Sequence, residues 1–144
     1  MPAAAASSRL DRPIVLHSAD DDQVTLIGAG VTLHACLAAA GQLRDEGISA
    51  RVIDLYSVKP ADTATLSAAA AATGGRLVVA EDHHPEGGIG SAVVDALTGA
   101  GRTELSVAHL AVREMPGSGT TDELLAESGI DADAIAAAAR GLLA

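Results

Sequence analysis

Apolar runs and helix-period segments alternate along this chain, which predicts an α/β fold with a mostly parallel sheet and helices on both of its faces. Three observations carry the prediction. The strand-like runs VTLIG, ARVIDL and RLVVAE are separated by helical segments of the length that crossover connections need. RLVVAE (76–81) is apolar at every position between its charged ends, so both faces of that strand must be covered. In VTLIGAGVTLHACLAAAG (24–41), the corner Gly28-Ala29-Gly30 joins a strand directly to a helix.

The elements follow in order. MPAAAASSRLDR (1–12) has low complexity and is expected to be a disordered tail or linker, leaving 13–144 as one domain. PIVL (13–16) suits a short edge strand, and the acidic turn Asp20-Asp21-Asp22 separates it from strand 24–28. A helix is predicted from about Val31 to Glu46, with Leu33, Leu37, Ala40 and Leu43 on one face and Gly47 ending it. After strand 50–55, Pro60 suits the first turn of a helix supported by Asp62, which runs through the alanine tract to Gly74-Gly75. Strand 76–81 and a helix from Ile89 to about Leu97 come next, then a last strand at ELSVAHLAV (104–112). Thr120 and Glu123 form a capping box for a short helix ending near Gly129, and Asp131 caps a final helix over 132–143.

Composition bounds the function. With 144 residues, a single domain buries roughly 70% of its unfolded surface. There is no Phe or Trp and one Tyr, so the core must be Val, Ile, Leu and Ala. Alanine allows close helix–sheet approach but contributes little buried area, and a domain built this way is expected to lean on a partner surface. The net charge of −10, with nine scattered Lys and Arg, argues against nucleic acid and anionic membranes as partners. No run is long enough to span a bilayer, and the opening lacks the charged start and apolar centre of a signal peptide, so a cytoplasmic location is expected. Cys36, the one cysteine, lies in an alanine-rich helix with no His and carboxylate spaced to activate it, and is expected to be buried.

Two motifs invite chemistry. Gly28 and Gly30 with Asp54, at the end of the next strand, have the outline of a nucleotide-binding module. The third glycine of that fingerprint is replaced by Leu33, so the alternative is a plain fold corner. The second motif is EDHHPEGGIG (81–90), at the carboxyl end of the most apolar strand, where ligand and partner sites of open α/β sheets form. Glu81, His83, His84 and Glu86 are metal-capable, yet adjacent histidines in an extended segment point to opposite sides and no distant cluster completes a site. Gly87, Gly88 and Gly90 ahead of a helix can present N–H groups to an anion. A tight turn, or packing against another subunit, are the remaining readings.

These segments carry a resemblance as well. DDQVTLIGAGVTLHACLAAAGQLRDEGISARVIDLYSVKPAD, then GRLVVAEDHHPEGGIGSAVVDAL, then ELSVAHLAV, PGSG, ELL and GIDADAIAAAARGL occur in that order. Together they resemble the carboxyl-terminal domain of the thiamine-diphosphate-dependent transketolases. More distantly they resemble the last domain of 2-oxo-acid dehydrogenase β subunits and of deoxyxylulose phosphate synthase. The resemblance implies a three-layer α/β/α domain with a five-stranded mixed sheet, one edge strand antiparallel, and the GAG turn as a fold corner. It implies two-carbon ketol transfer between sugar phosphates of the pentose phosphate pathway, with thiamine diphosphate and Mg²⁺ in the complete enzyme.

The family holds that cofactor with a GDG…N motif in its first domain and activates it with a glutamate in its second. No GDG occurs here, so no catalytic, cofactor-binding or metal-binding residue is carried over and the chain alone is expected to be inactive. What the resemblance leaves is a surface of Glu81, Asp82, His83, Gly87, Gly88 and Gly90, as an interdomain or dimer contact. The implied partner is the cofactor-binding N-terminal portion or subunit of a transketolase, in an oligomer. A split-gene subunit and an excised domain remain open. So do the competing classes of nucleotide- or anion-binding module, using Gly28, Gly30 and Asp54, and metal-dependent enzyme at His83 and His84.

Overall fold

A computed structural model describes residues 14–57 and 61–144 of the chain. Five strands form one sheet in the order β1-β3-β2-β4-β5. They are β1 (Ile14–His17), β2 (Val24–Gly28), β3 (Ala50–Asp54), β4 (Arg76–Ala80) and β5 (Ser106–Leu110). The helices are α1 (Val31–Asp45), α2 (Thr63–Ala72), α3 (Ile89–Gly99), α4 (Thr121–Glu127) and α5 (Ala132–Leu143). Strands β2 to β5 pair in parallel and β1 pairs antiparallel with β3. The sheet is therefore mixed and mostly parallel, as the resemblance implied.

Strand alternation divides the core into two layers. Val24 and Leu26 of β2, Val52 of β3, and Val78 and Ala80 of β4 face α1 and α5. Ile27, Ile53, Leu77 and Val79 face the opposite way, onto α2 and α3. The central strands are apolar on both sides because both sides are covered. The chain moves one way along the sheet from β2 to β3 and the other way from β3 to β4 and β5. Right-handed crossovers then require α1 on one face and α2 and α3 on the other, as found.

Alanine sets how closely α1 approaches its neighbours. Its buried face is Thr32, Ala35, Cys36, Ala39, Ala40 and Leu43, shifted from the leucine-based face expected: Leu33 is half-buried and Leu37 is 39% exposed. The small side chains turn inward because α5 lies against α1 and brings Ala136 and Ala139 into the same layer. Cys36 is fully buried there, and burial pushes its thiol up to about 12. At the far end of the helix Gly47 takes φ +80°, a left-handed stop.

Several helix boundaries differ from expectation by local chemistry. Asp62 is the N-cap of α2, accepting the Thr65 N–H at 3.0 Å, so the helix proper begins at Thr63. Pro60 and the tail 1–12 lie outside the described residues. Thr120 and Glu123 do form a capping box, and Asp131 caps α5. Asp22, the last residue of the expected acidic turn, is buried at the core edge just after the turn at Asp20-Asp21. Its carboxylate accepts from the Ala19 N–H (2.8 Å), the Ser49 hydroxyl (2.7 Å) and Arg51 Nε (3.1 Å). It thereby ties the start of β2 to β3.

Candidate functional site

The carboxyl ends of β2 and β4 lie side by side where the chain changes its direction across the sheet. Loops leaving such a point diverge to opposite faces and open a crevice between them. Here the crevice is a cleft of about 340 Å³ lined by Ala29, Glu81, Asp82, His83, Gly87, Gly88 and Ile89. Five of the six residues in the sequence-derived surface line it. Gly90, the sixth, is buried one residue further along in the first turn of α3.

Glu81 organises this end of the molecule. It follows β4 and is only 3% exposed. Gly88 is the N-cap of α3 and brings no side chain to the free N–H groups of the first turn. Glu81 supplies the acceptor from outside the helix. One carboxylate oxygen accepts the Ile89 N–H at 3.1 Å and the other the Gly90 N–H at 2.9 Å. A carboxylate at a helix N-terminus also meets the positive end of the helix dipole.

From β5, His109 Nε2 reaches the same carboxylate at 2.5 Å. Since a carboxylate only accepts, that nitrogen carries the proton. Both oxygens of Glu81 are thereby engaged within the chain, Oε1 by one donor and Oε2 by two.

The glycines follow from this arrangement. A Cβ on Gly88 would overlap the Glu81 carboxylate, and one on Gly90 would overlap the His109 ring. Gly87 takes φ +75°, which turns the loop into α3. For Gly90 the anion reading has an internal answer, since its N–H and that of Ile89 are already taken by the side chain of Glu81.

The two adjacent histidines do not point to opposite sides. Their rings stack with centroids 3.8 Å apart, because the loop bends at this point and is not extended. His83 Nδ1 lies 2.7 Å from the His84 carbonyl and donates to it, since a carbonyl only accepts. Asp82, His83, His84 and Glu86 are all exposed. Among the described residues no group of three His, Cys, Asp or Glu is close enough to hold a metal ion.

The opening glycine motif is closed upon itself. A Cβ on Gly28 would stand 2.9 Å from the backbone of Thr32 and Leu33, and Gly30 takes φ +60°. The buried Thr32 hydroxyl accepts the Ala29 N–H at 3.1 Å and donates to the Ala29 carbonyl at 2.9 Å. These contacts are what a fold corner needs. Asp54 pairs in register with Gly28 at the end of β3, and burial raises its pKa above the ordinary carboxylate value.

The described residues do not fit thiamine diphosphate and Mg²⁺. The charged side chains lining the cleft, Glu81 and Asp82, are carboxylates that would repel a diphosphate, and no donor set for the metal is present among the described residues. No cofactor chemistry is assigned to this chain.

Reading the sequence missed two residues that matter here. His109 sits on β5 opposite Val79, and only that register brings it to Glu81. Met115, in the loop after β5, is 92% exposed. That loop is bound to the candidate surface through the Val112 N–H, which donates to the His83 carbonyl at 2.9 Å.

Comparison with known proteins agrees with this architecture. The family described as "Transketolase, C-terminal domain" matches residues 15–135. Human transketolase is 52% identical over 130 residues, 90% of this chain, and mouse transketolase-like protein 1 is 49% identical over 130 residues, also 90% of the chain. The chain spans about a fifth of the length of these relatives, 20% and 21% respectively. Among solved structures, a chain described as "Split gene transketolase, inactive beta4 tetramer" superposes with a TM-score of 0.81 at 36% identity. That match covers 92% of this chain and 42% of the other. Transketolase from Campylobacter jejuni superposes with a TM-score of 0.62 at 14% identity, covering 88% of this chain and 18% of that one, a likeness of fold.

Proposed function

Because the chain belongs to the transketolase C-terminal domain family, we propose that it acts as the third domain, or a separate subunit, of a transketolase and works by docking on the cofactor-bearing portion. The complete assembly would transfer two-carbon ketol units between sugar phosphates of the pentose phosphate pathway in the cytoplasm. Thiamine diphosphate and Mg²⁺ would be held by the other portion, and this chain alone would be inactive.

The engagement of Glu81 by three donors of its own chain carries the reading. Its acceptors are used by Ile89, Gly90 and His109, so the cleft presents a rigid shape in place of a free acid or base. Glu81, Asp82, His83, Gly87, Gly88 and Gly90 are proposed as contact residues. The relative described as an inactive β4 tetramer of a split-gene transketolase supports a subunit arrangement of this kind.

The test is purification of the chain from its native host, identification of bound companions by mass spectrometry, and a ketol-transfer assay. A larger companion with a diphosphate-binding motif, and activity confined to the complex, is the expected result. Ketol transfer by the isolated chain would overturn the reading, and a lone, inactive chain would remove the separate subunit and favour an excised domain or an independent binder.

A further inference from the structure

We propose that Met115 is the apolar anchor of the docking face and that the partner meets it with an apolar socket ringed by lysine or arginine. The inference rests on the docking role proposed above and adds to it the second loop and the chemistry of the opposing surface.

The loop after β5 is the longest continuously exposed stretch among the described residues that is free of strand or helix, running from Arg113 to Thr120. It carries Met115 at 92% exposure, against at most 47% for every other large apolar side chain described as exposed. A flexible, polarisable methionine held at the surface is an adaptable contact where a partner covers it.

Two contacts hold the start of the loop, just before Met115. Val112 donates to the His83 carbonyl at 2.9 Å, and Arg113 Nη2 donates to the His109 carbonyl at 2.9 Å. The loops after β4 and β5 are therefore one face at the carboxyl end of the sheet. Met115 stands outside the cleft, beside the hollow that this second loop forms with Leu110 and Glu127–Gly129, and a partner that covers the whole carboxyl end of the sheet would reach both.

Charge defines the partner further. Asp82, Glu86 and Glu114 are exposed on these two loops, while Arg113 is turned back to His109. A second copy of this chain, itself of net charge −10, would bring the same carboxylates face to face and be repelled. A basic rim around an apolar socket is complementary.

The experiment measures affinity between the intact chain and the purified thiamine-diphosphate-binding transketolase polypeptide encoded in the same genome, by sedimentation at several salt concentrations. Wild type is expected to bind, and to bind less tightly as salt rises. Met115→Glu is expected to weaken binding roughly tenfold or more and Met115→Leu to stay within about twofold, the pattern of a buried apolar anchor. The double variant Asp82→Lys/Glu86→Lys is expected to bind more weakly and with a flatter salt dependence. Because Met115 touches almost nothing in the chain, its variants should melt as wild type does.

Met115→Glu binding as tightly as wild type would overturn the anchor while leaving the docking role standing. Affinity that does not change with salt would overturn the basic rim. Self-association of wild type that Met115→Glu abolishes would mean that the occupant is a second copy. Failure of wild type to bind the cofactor-bearing polypeptide at all would remove the docking role and this inference together.

Discussion

A single carboxylate, Glu81, holds the candidate site in shape, and its neighbours are constrained by it. Replacing Gly90 with Ala would place a methyl against a His109 ring that its bond to Glu81 holds in place. Overpacking of this sort costs about 1–3 kcal/mol, so Gly90→Ala should lower the urea midpoint at unchanged slope. An unchanged midpoint would mean that His109 is free to move.

Two aspartates should respond to pH with opposite sign. Burial by itself would raise Asp22, but the Ala19 N–H, the Ser49 hydroxyl and Arg51 together hold it below the ordinary carboxylate value. A lowered folded pKa stabilises the fold above the unfolded value, near 4, and that contribution is lost as pH falls through the folded value. Asp22→Asn should therefore destabilise the domain at pH 7 and flatten its acid unfolding below about pH 4. Burial alone raises Asp54, so its ionisation opposes folding as pH climbs above the unfolded value. Asp54→Asn should raise stability at pH 7 and leave it unchanged at pH 3, as read from paired denaturant titrations.

The helices differ in what holds them. α1 and α5 meet through small, fully buried side chains, Cys36, Ala39, Ala136 and Ala139, so Ala39→Leu should cost about 1–3 kcal/mol by overpacking. The Cys36 thiol is enclosed in the same layer. It should react with a thiol reagent only as fast as the domain opens, and rapid labelling of the native protein would contradict this packing. α4 is the opposite case, with no buried residue and a capping box as its main support. Thr120→Ala should cost about 1 kcal/mol and show itself as faster amide exchange confined to 121–128.

At this scale the sequence read well where periodicity or capping chemistry is local. The Thr120–Glu123 box, the Asp131 cap and the strand cores were legible because their partners lie three residues away or alternate along one strand. The inward face of α1 was misread. Which stripe of an alanine-rich helix turns inward depends on the neighbour that packs against it.

For the whole molecule, the exposed face at the carboxyl end of the sheet and the alanine-rich core point the same way, towards a domain completed by contact. Any partner that binds only the folded chain must raise its melting temperature, and further as its free concentration climbs above the dissociation constant. The cofactor-bearing polypeptide should therefore shift the melting temperature of this chain, while thiamine diphosphate with Mg²⁺ alone should leave it in place. A shift that grows with the concentration of the cofactor alone would contradict the poor fit of the cleft to a diphosphate.

The sequence by itself determined the α/β class, most helix ends, the buried cysteine and the loop 81–90 as the place to look, since each depends on residues close together in the chain. The antiparallel edge strand and the family were legible through the resemblance of its segments. Only the tertiary structure decided what that loop is. His109 lies 28 residues from Glu81 and meets it through the pairing of β5 with β4, while Thr32 closes the glycine corner and Met115 joins the same face through Val112 and His83. Such contacts are set by strand register and crossover direction, which no local pattern of residues encodes.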